Sequence, residues 1–454
     1  MKKNNKFKHK FFLIFYIFIL SLLLCKSIYS ELETINGSIG CNKLSVELKN
    51  DYKKDNGFKI NNINKLNRSI SSDILTYYTF QKSLASTEKN FSEVKIIGVS
   101  GLYSKFHMLD LKKGSFINSN DNQKKNYVAI IDDKLAKKLF KSENVIGLKI
   151  KLYGKDFTII GVKSTQNNLI GNLFKKELPN VYMPINIINE IKGNEFITNI
   201  EYKKGDSYLN KKYIKDRILE AGKNNSAFDI KDYKIIGLVA KQKFDILIFI
   251  IGIFAIYRLI KLTSRILKSI IFEFKDELKN DYLKHIIKTN KIKYLTNSLK
   301  IILVLFIIII LWKEISFRLY IPSENMPKDI FSIKQLFEII KLNIREFFSY
   351  KKTYTVLEKE YLSLLLRLST IIFIIGLITE IFLIFNITKK INIYFKDNIE
   401  ALSVYAIHFL GAITLSNVII YLLGLSIQLE LIDFLLLWVI IASIILSYKK
   451  VHKI

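Results

Sequence analysis

Residues 127–163 read YVAIIDDKLAKKLFKSENVIGLKIKLYGKDFTIIGVK, and their pattern predicts one compact structural unit. Tyr127–Ile131 is an apolar run that predicts a buried strand, and either Asp132 or Asp133 is suited to cap the helix that follows. That helix has one apolar face, formed by Leu135, Ala136, Leu139 and Phe140. Further on, apolar and polar residues alternate over 148–152, and the turn Gly154-Lys155-Asp156 leads into a second strand, Phe157–Val162.

Similar elements flank this unit on both sides. Val94–Ser100 predicts a strand before it. Phe196–Tyr202 predicts a strand after it, followed by a helix from about Ser207 that stops at Gly222. The segment 31–243 therefore predicts an α+β domain, and it is long enough to bury a core.

Six apolar segments lie outside that domain. A helix needs about 20 mostly apolar residues to cross the hydrocarbon core of a membrane, and most of the six approach this length. Buried helices of a soluble protein are a poor alternative, because two of the segments contain long runs of Ile, Leu, Val and Phe. The segments are 11–24, 244–262, 296–315, 368–387, 404–427 and 431–448.

These observations predict a membrane protein, an α-helical bundle of about six spans with a large α+β extracytoplasmic domain. Its parts would be an N-terminal cytoplasmic leader with the first transmembrane helix (1–30), the extracytoplasmic core domain (31–243), two further transmembrane helices with a basic cytoplasmic loop (244–316), an extracytoplasmic loop (317–363) and a three-helix region (364–454).

The positive charge agrees with this topology. The chain has 70 Lys+Arg against 40 Asp+Glu, a net charge of +30, and much of it flanks the apolar segments on the predicted cytoplasmic side. The lysine-rich leader before segment 11–24 is compatible with a cleaved signal peptide or a retained anchor, and Ile28 favours the anchor because it fits a cleavage site poorly. The N-terminus is therefore predicted to be cytoplasmic, and the charge gives no support to nucleic-acid binding.

The stretch 96–164 resembles the periplasmic core domain of MacB-like ABC transporter permeases. It has that family's Gly-Val-Ser strand, a turn, the strand and helix within 127–140, a Val-Ile-Gly segment and the return strand. The turn is marked by Leu111, Gly114 and Phe116. Later, Val181–Pro184 looks like the family's Val-Tyr-x-Pro strand.

The membrane part resembles the FtsX-like domain less closely. Residues 400–412, EALSVYAIHFLGA, are loosely similar to the coupling signature of that domain. The resemblance implies that the last three apolar segments are its three spans and that an ATPase binds near their first connecting loop. The candidate coupling residues are Lys396, Asp397, Glu400 and Gly411, and the basic segment 258–300 is the alternative.

The resemblance implies the permease subunit of an ABC-type transporter, a multi-pass protein of the bacterial cytoplasmic (inner) membrane. Its partners would be a separate cytoplasmic ABC ATPase that binds the ATP, a second permease copy or homologue, the lipid bilayer, and a periplasmic adaptor or envelope protein. Movement of the extracytoplasmic domain would serve export or extrusion of a peptide, lipid or antimicrobial compound. The alternatives are a non-transporting FtsX-like regulator that controls a cell-envelope hydrolase or senses a peptide, and an adhesion or assembly protein without an ATPase.

The sequence predicts no catalytic, cofactor or metal site, and hence no enzyme. It has no Gly-Lys-Ser/Thr phosphate-binding loop, and its five histidines are scattered singly. Glu380 lies well inside an apolar segment, where a charge is expensive. It is therefore a candidate intramembrane polar residue, either for pairing across a permease interface or for plain helix packing. For Arg367, His408 and Asn417 we favour an interfacial or packing role.

Overall fold

A computed structural model describes most of the chain. The described residues are 2–63, 66, 74–165, 178–193, 195–204, 210–279, 282–322, 357–394, 397–427 and 430–447, with single positions between 323 and 356.

Ten strands in the described residues form one mixed sheet. Two pairs, β3 with β8 and β5 with β7, are parallel, and the other pairs are antiparallel. The order across the sheet is β10-β1-β9-β2-β3-β8-β5-β7-β4, with β6 paired to β2 and β7. The strands are β1 (Lys43–Leu48), β2 (Leu75–Ser86), β3 (Phe91–Val99), β4 (Leu111–Gly114), β5 (Val128–Asp132), β6 (Lys149–Leu152), β7 (Lys155–Lys163), β8 (Asn180–Pro184), β9 (Asn199–Lys203) and β10 (Phe228–Asp232).

Short helices pack on this sheet, and long helices form a separate bundle. We call residues 36–232 the sheet domain. Its helices are α2 (Tyr103–Phe106), α3 (Ser119–Gln123), α4 (Asp133–Phe140), α5 (Ile185–Lys192) and α6 (Lys211–Glu220). The other helices are α1 (Lys2–Ile35), α7 (Tyr233–Glu277), α8 (Leu283–Thr289), α9 (Lys291–Ile315), α10 (Leu357–Tyr394), α11 (Asn398–Leu423) and α12 (Leu431–Leu446).

The unit predicted from residues 127–163 is present as β5, α4, β6 and β7. The apolar face of α4 is buried at Leu135, Ala136 and Leu139, together with β-strand residues of the same core. The turn falls one residue earlier than predicted, at Tyr153 and Gly154, which both have positive φ. This is the backbone of a two-residue hairpin turn, which places Lys155 and Asp156 in the strand.

Two other details of the sheet domain differ from the sequence prediction. Asp132 occupies the N-cap position of α4 without a side-chain capping bond. Its carboxylate instead accepts a hydrogen bond from the backbone N–H of Asn180, 2.7 Å away. The predicted helix near residue 207 begins at Lys211, where Asn210 caps it by accepting from the N–H of Tyr213; residues 205–209 lie outside the described part.

The long helices run alternately away from and towards the sheet domain. α1 ends against it, since the carbonyl of Ile35 accepts from the N–H of Met108. α7 begins beside it, directly after β10. At the opposite end of the bundle, Phe12 of α1 packs on Tyr405 near the start of α11, and Arg258 of α7 lies 3.4 Å from Ser447, just after α12.

Five of these helices are long and apolar enough to cross a membrane by length and composition, and α12 is a shorter apolar helix of 16 residues. α1 is the most enclosed of the five, with Phe18, Ile19 and Leu22 fully buried among the other helices. A multi-pass membrane protein with a large α+β domain is therefore the architecture of this chain.

Candidate functional site

The most unusual polar site lies where the bundle meets the sheet domain. Lys359, in the first turn of α10, extends its buried side chain into the sheet domain. Its Nζ lies 2.5 Å from Oε1 of Glu47, 2.8 Å from Oε1 of Glu201 and 2.7 Å from Oγ of Ser45. One bundle cation thus bridges two carboxylates of β1 and β9.

The strand β1 creates this site by sorting its side chains onto two faces. Alternate residues of a strand point in opposite directions. One set belongs to an apolar core and the other faces the ends of the helices. The apolar set is Leu44, Val46 and Leu48, and the polar set is Lys43, Ser45 and Glu47.

The sheet register adds the remaining charged groups. Ser45 pairs with Glu201 on β9 and with Lys231 on β10, so all three side chains lie on the polar face. Nζ of Lys231 lies 2.7 Å from Oε2 of Glu47, and Nζ of Lys43 lies 2.8 Å from Oε2 of Glu201. We call these six residues the junction cluster: Lys43, Ser45, Glu47, Glu201, Lys231 and Lys359.

Aromatic rings enclose the cluster. The hydroxyl of Tyr78 donates to Oε1 of Glu201 at 3.3 Å, and Nε2 of His107 lies 3.2 Å from the same oxygen. Nζ of Lys359 sits 5.6 Å from the ring centre of Tyr78 and 5.9 Å from that of Tyr233, the first residue of α7. The cluster therefore contacts α7 as well as α10.

The two carboxylates of the cluster are held in their ionised forms by the groups around them. Burial alone would raise the pKa of Glu47, but the ammonium groups of Lys231 and Lys359 outweigh it and lower the pKa to about 2. Burial also opposes ionisation of Glu201, yet His107 and the neighbouring lysines hold its pKa well below the ordinary value. Burial lowers the pKa of His107 itself, so its imidazole is neutral near pH 7.

A second connection lies at the start of α7. Asp232 caps this helix by accepting from the N–H groups of Lys234 and Ile235, and its Oδ2 lies 2.5 Å from Nζ of Lys204. Buried ion pairs with several hydrogen bonds hold their partners in one geometry. These contacts therefore fix the positions of α7 and α10 relative to the sheet domain. Within the described ranges, no three His, Cys, Asp or Glu side chains are grouped as a metal site.

The predicted coupling residues lie at the opposite end of the bundle. Asp397 caps α11, accepting from the N–H of Glu400 at 2.7 Å, and both side chains are exposed. Lys396 lies outside the described residues. Gly411 faces α1, because a Cβ on it would lie 2.6 Å from the hydroxyl of Tyr16. All of the described coupling candidates after Asp397 lie on α11, which is one continuous helix from Asn398 to Leu423.

The polar residues of the spans also have definite places. Glu380 is completely buried inside the bundle of a single chain, facing the backbone of Ile251 on α7. His408 stacks on Phe12 with ring centres 3.6 Å apart. Asn417 has a buried side-chain oxygen without a hydrogen-bond partner in the described part of the chain.

Sequence reasoning missed the junction cluster. One signal was present, since residues 43–48, KLSVEL, alternate strictly between polar and apolar types. This alternation usually indicates a strand with one solvent-exposed face. Here all six residues are buried, because the ends of the helices cover the polar face.

Residues 50–209 match the family model of the MacB-like periplasmic core domain. A curated relative, "Macrolide export ATP-binding/permease protein MacB" of Aggregatibacter actinomycetemcomitans, is 28% identical over 182 residues. That alignment covers 38% of this chain, and the chain spans only 28% of the relative's length.

Two solved structures are similar to part of the chain. One is the extracellular domain of the ABC-type transporter YknZ from Gram-positive bacteria, with 18% identity and a TM-score of 0.33, covering 42% of this chain and 100% of that one. The other is the periplasmic region of MacB from Actinobacillus actinomycetemcomitans, with 22% identity and a TM-score of 0.36, covering 47% of this chain and 98% of that one.

Proposed function

We propose that this chain, a MacB-like permease with a periplasmic core domain at residues 50–209, couples ATP hydrolysis by a separate cytoplasmic ATPase to movement of its sheet domain. The observation that carries the proposal is the position of Lys359. A buried cation at the end of an apolar helix is bound to two buried carboxylates of the sheet domain. Such a joint allows helix movement to reach the sheet domain without an intervening flexible linker.

We further propose six crossings with a cytoplasmic N-terminus. The alternating helix directions support this topology, since they place the sheet domain at one end of the bundle and the starts of α9 and α11 at the other. The basic segment 258–300 then faces the cytoplasm, as the positive-inside rule requires. The burial of α1 among other helices supports its retention as an anchor.

The cytoplasmic end offers two surfaces for the ATPase. One is the start of α11, with the exposed carboxylates of Asp397 and Glu400. The other is a hairpin formed by the end of α7 and the start of α9, residues 266–299, which we call the distal hairpin. After Arg265, which donates to the carbonyl of Ser447, α7 continues for 12 residues, about 18 Å at 1.5 Å per residue.

Ion pairs hold the distal hairpin together. Nζ of Lys293 lies 2.8 Å from Oε2 of Glu273, and the hydroxyl of Tyr294 donates to Glu277 at 2.7 Å. Between the two helices lies an apolar groove of about 550 Å³ with Lys275 and Lys291 at its rim. Such a surface suits a partner that presents apolar side chains flanked by acidic ones.

The proposal is tested by purifying the tagged full-length chain from its native membrane and identifying ATPases that accompany it. Two charge reversals locate the contact. Glu400→Lys alters the first surface, and Lys275→Glu alters the second without disturbing the ion pairs of the distal hairpin. At the true contact we expect roughly tenfold weaker ATPase binding, about 1.4 kcal/mol. If wild type brings down no ATPase with a phosphate-binding loop, the proposal is wrong.

A transport assay distinguishes an exporter from a regulator. We propose export or extrusion, because the relative from Aggregatibacter actinomycetemcomitans is named for macrolide export. Movement of labelled peptide, lipid or antimicrobial compound across vesicles that contain the complex would be ATP-dependent. A complex that hydrolyses ATP and moves none of these would instead act as the regulator. A second permease copy, and an adaptor or envelope protein, are further proposed partners.

A further inference from the structure

Glu380 is a buried acid for which the coupling function gives no role. It lies in α10, 21 residues after Lys359, and its side chain is completely buried. Among the described residues, neither carboxyl oxygen has a hydrogen-bond partner at full bonding geometry, and the polar group that the side chain approaches is the backbone of Ile251. One turn earlier, Gly376 packs closely on α7, since a Cβ there would lie 3.0 Å from Leu247. The acid therefore sits in the tight contact between α10 and α7.

The cations of α7 are too far along the helix to neutralise it. Glu380 faces the backbone of Ile251, from which Lys243 and Arg258 are about 12 Å and 10 Å distant along the axis. Both have other partners. Nζ of Lys243 donates to Ser369 at 2.6 Å and to Thr370 at 2.9 Å.

In the described residues, no cation of the other helices is hydrogen-bonded to Glu380. On α1, Ser21 lies beside Gly376, and the nearest charged residues of that helix are several residues away in each direction. Besides Lys243 and Arg258, the titratable groups on these elements include Lys10, Tyr16, Cys25 and Lys26 on α1, Asp245 on α7, Arg367 on α10, Tyr405 and His408 on α11 and Asp433 on α12, of which Lys26 and Asp433 are paired with each other.

An ionised carboxylate without a neighbouring cation is very costly in an apolar interior, whereas a neutral acid costs far less. The neutral acid also has an O–H that can donate to a backbone carbonyl. In this conformation the contact between α10 and α7 therefore favours the protonated side chain.

We propose that Glu380 is a proton-binding site inside the bundle, occupied while α10 packs against α7 and emptied when the two helices move apart. Separation admits water to the acid, and hydration stabilises the carboxylate. By linkage, whatever moves α10 changes the proton affinity of Glu380, and pH in turn changes the position of α10. This site is independent of the proposed ATPase partner.

Infrared spectroscopy of the full-length chain in lipid nanodiscs tests for the proton directly. A neutral carboxyl group has a C=O stretching band that a carboxylate lacks. We expect such a band near neutral pH in wild type, its loss in Glu380→Gln, and its retention in the control Glu220→Gln, which alters an exposed acid of the sheet domain. Equal spectra for wild type and Glu380→Gln at neutral pH would show an ionised Glu380 and overturn the proposal.

A reversible crosslink tests whether the proton affinity of Glu380 depends on the packing of α10 against α7. With Cys25 and Cys41 replaced by serine, the pair Leu247→Cys and Gly376→Cys would lock α10 onto α7. We expect the locked protein to keep the neutral-acid band to a pH at least about one unit higher than the same protein after reduction, a tenfold change in proton affinity. Identical titrations before and after reduction would contradict the linkage, whether or not an ATPase is ever found.

Discussion

At the scale of single residues, the proposed coupling depends on Lys359. Taking charges out of water is expensive, and removing one partner of a buried ion pair leaves the other uncompensated. Glu47 keeps Lys231 as a second cation, and Glu201 keeps Lys43. Loss of Lys359 should therefore weaken the junction cluster without unfolding the sheet domain.

We expect Lys359→Met to destabilise the full-length protein by about 1.5–3 kcal/mol, the range for losing hydrogen bonds to charged groups, because each carboxylate keeps one cation. Hydrogen exchange should accelerate in β1 and in the first turn of α10, while β5 and α4 keep their protection. The matched control is Lys137→Met, which removes an exposed lysine paired with Glu143. If β1 and the first turn of α10 exchange hydrogen equally fast in the Lys359→Met and Lys137→Met proteins, Lys359 does not stabilise the junction cluster.

The junction cluster also predicts a pH dependence. The pKa of His107 in the folded protein is below its ordinary value of 6.5, because burial disfavours the charged ring. A histidine with a lowered folded pKa contributes stability above pH 6.5 and loses it as the pH falls below that value. The lowered pKa of Glu47 acts in the same direction, since its contribution is present above pH 4.5 and is lost as the pH falls towards about 2.

The measurement is the melting temperature of the full-length protein in detergent between about pH 7.5 and about pH 5.5. Wild type should lose stability more steeply with acidification than His107→Gln, in which the neutral ring is replaced by an amide that does not titrate. Parallel curves for the two proteins would mean that His107 is not held neutral in the folded state.

At the scale of helices and strands, most of the elements were predicted from patterns among neighbouring residues. The alternation of residues 148–152 and the apolar face of α4 depend only on near neighbours, so both were readable from the sequence. The ion pair between Lys359 and Glu47 joins residues 312 positions apart. It arises from strand register and helix placement together, which no local pattern records.

The full length of α7 likewise could not be predicted from the local sequence pattern. The sequence predicts a span at 244–262, whereas α7 runs for 45 residues from Tyr233 to Glu277. Its start is set by the cap at Asp232, and its far end is stabilised by the ion pairs of the distal hairpin. Neither contact is visible as hydrophobicity, so the apolar segment marked only the middle of the helix.

The alternating helix directions predict which segments share a side of the membrane. With Cys25 and Cys41 replaced by serine, single cysteines at positions 60 and 120 should react with an impermeant reagent from outside intact cells. Cysteines at positions 280 and 394 should react only after permeabilisation. Labelling of position 280 from outside would rule out the six-span topology.

At the scale of the whole molecule, the helical bundle has different structures at its two ends. The sheet domain sits at one end, attached to α1, α7 and α10. The distal hairpin and the start of α11 lie at the other. α10 is one helix of 38 residues, about 57 Å long, so under the proposed function a displacement of its far end would reach Lys359 through a continuous helix.

The most direct test of this account is a nucleotide-dependent hydrogen-exchange experiment on the full-length chain with its co-purified ATPase in nanodiscs. In wild type, trapping the ATPase with ATP and vanadate should change the exchange of β1 and β9. In Lys359→Met, ATP hydrolysis should persist while that change disappears, and Lys359→Arg should retain it. If β1 and β9 respond to nucleotide equally in wild type and Lys359→Met, movement does not pass through the junction cluster and the account is wrong.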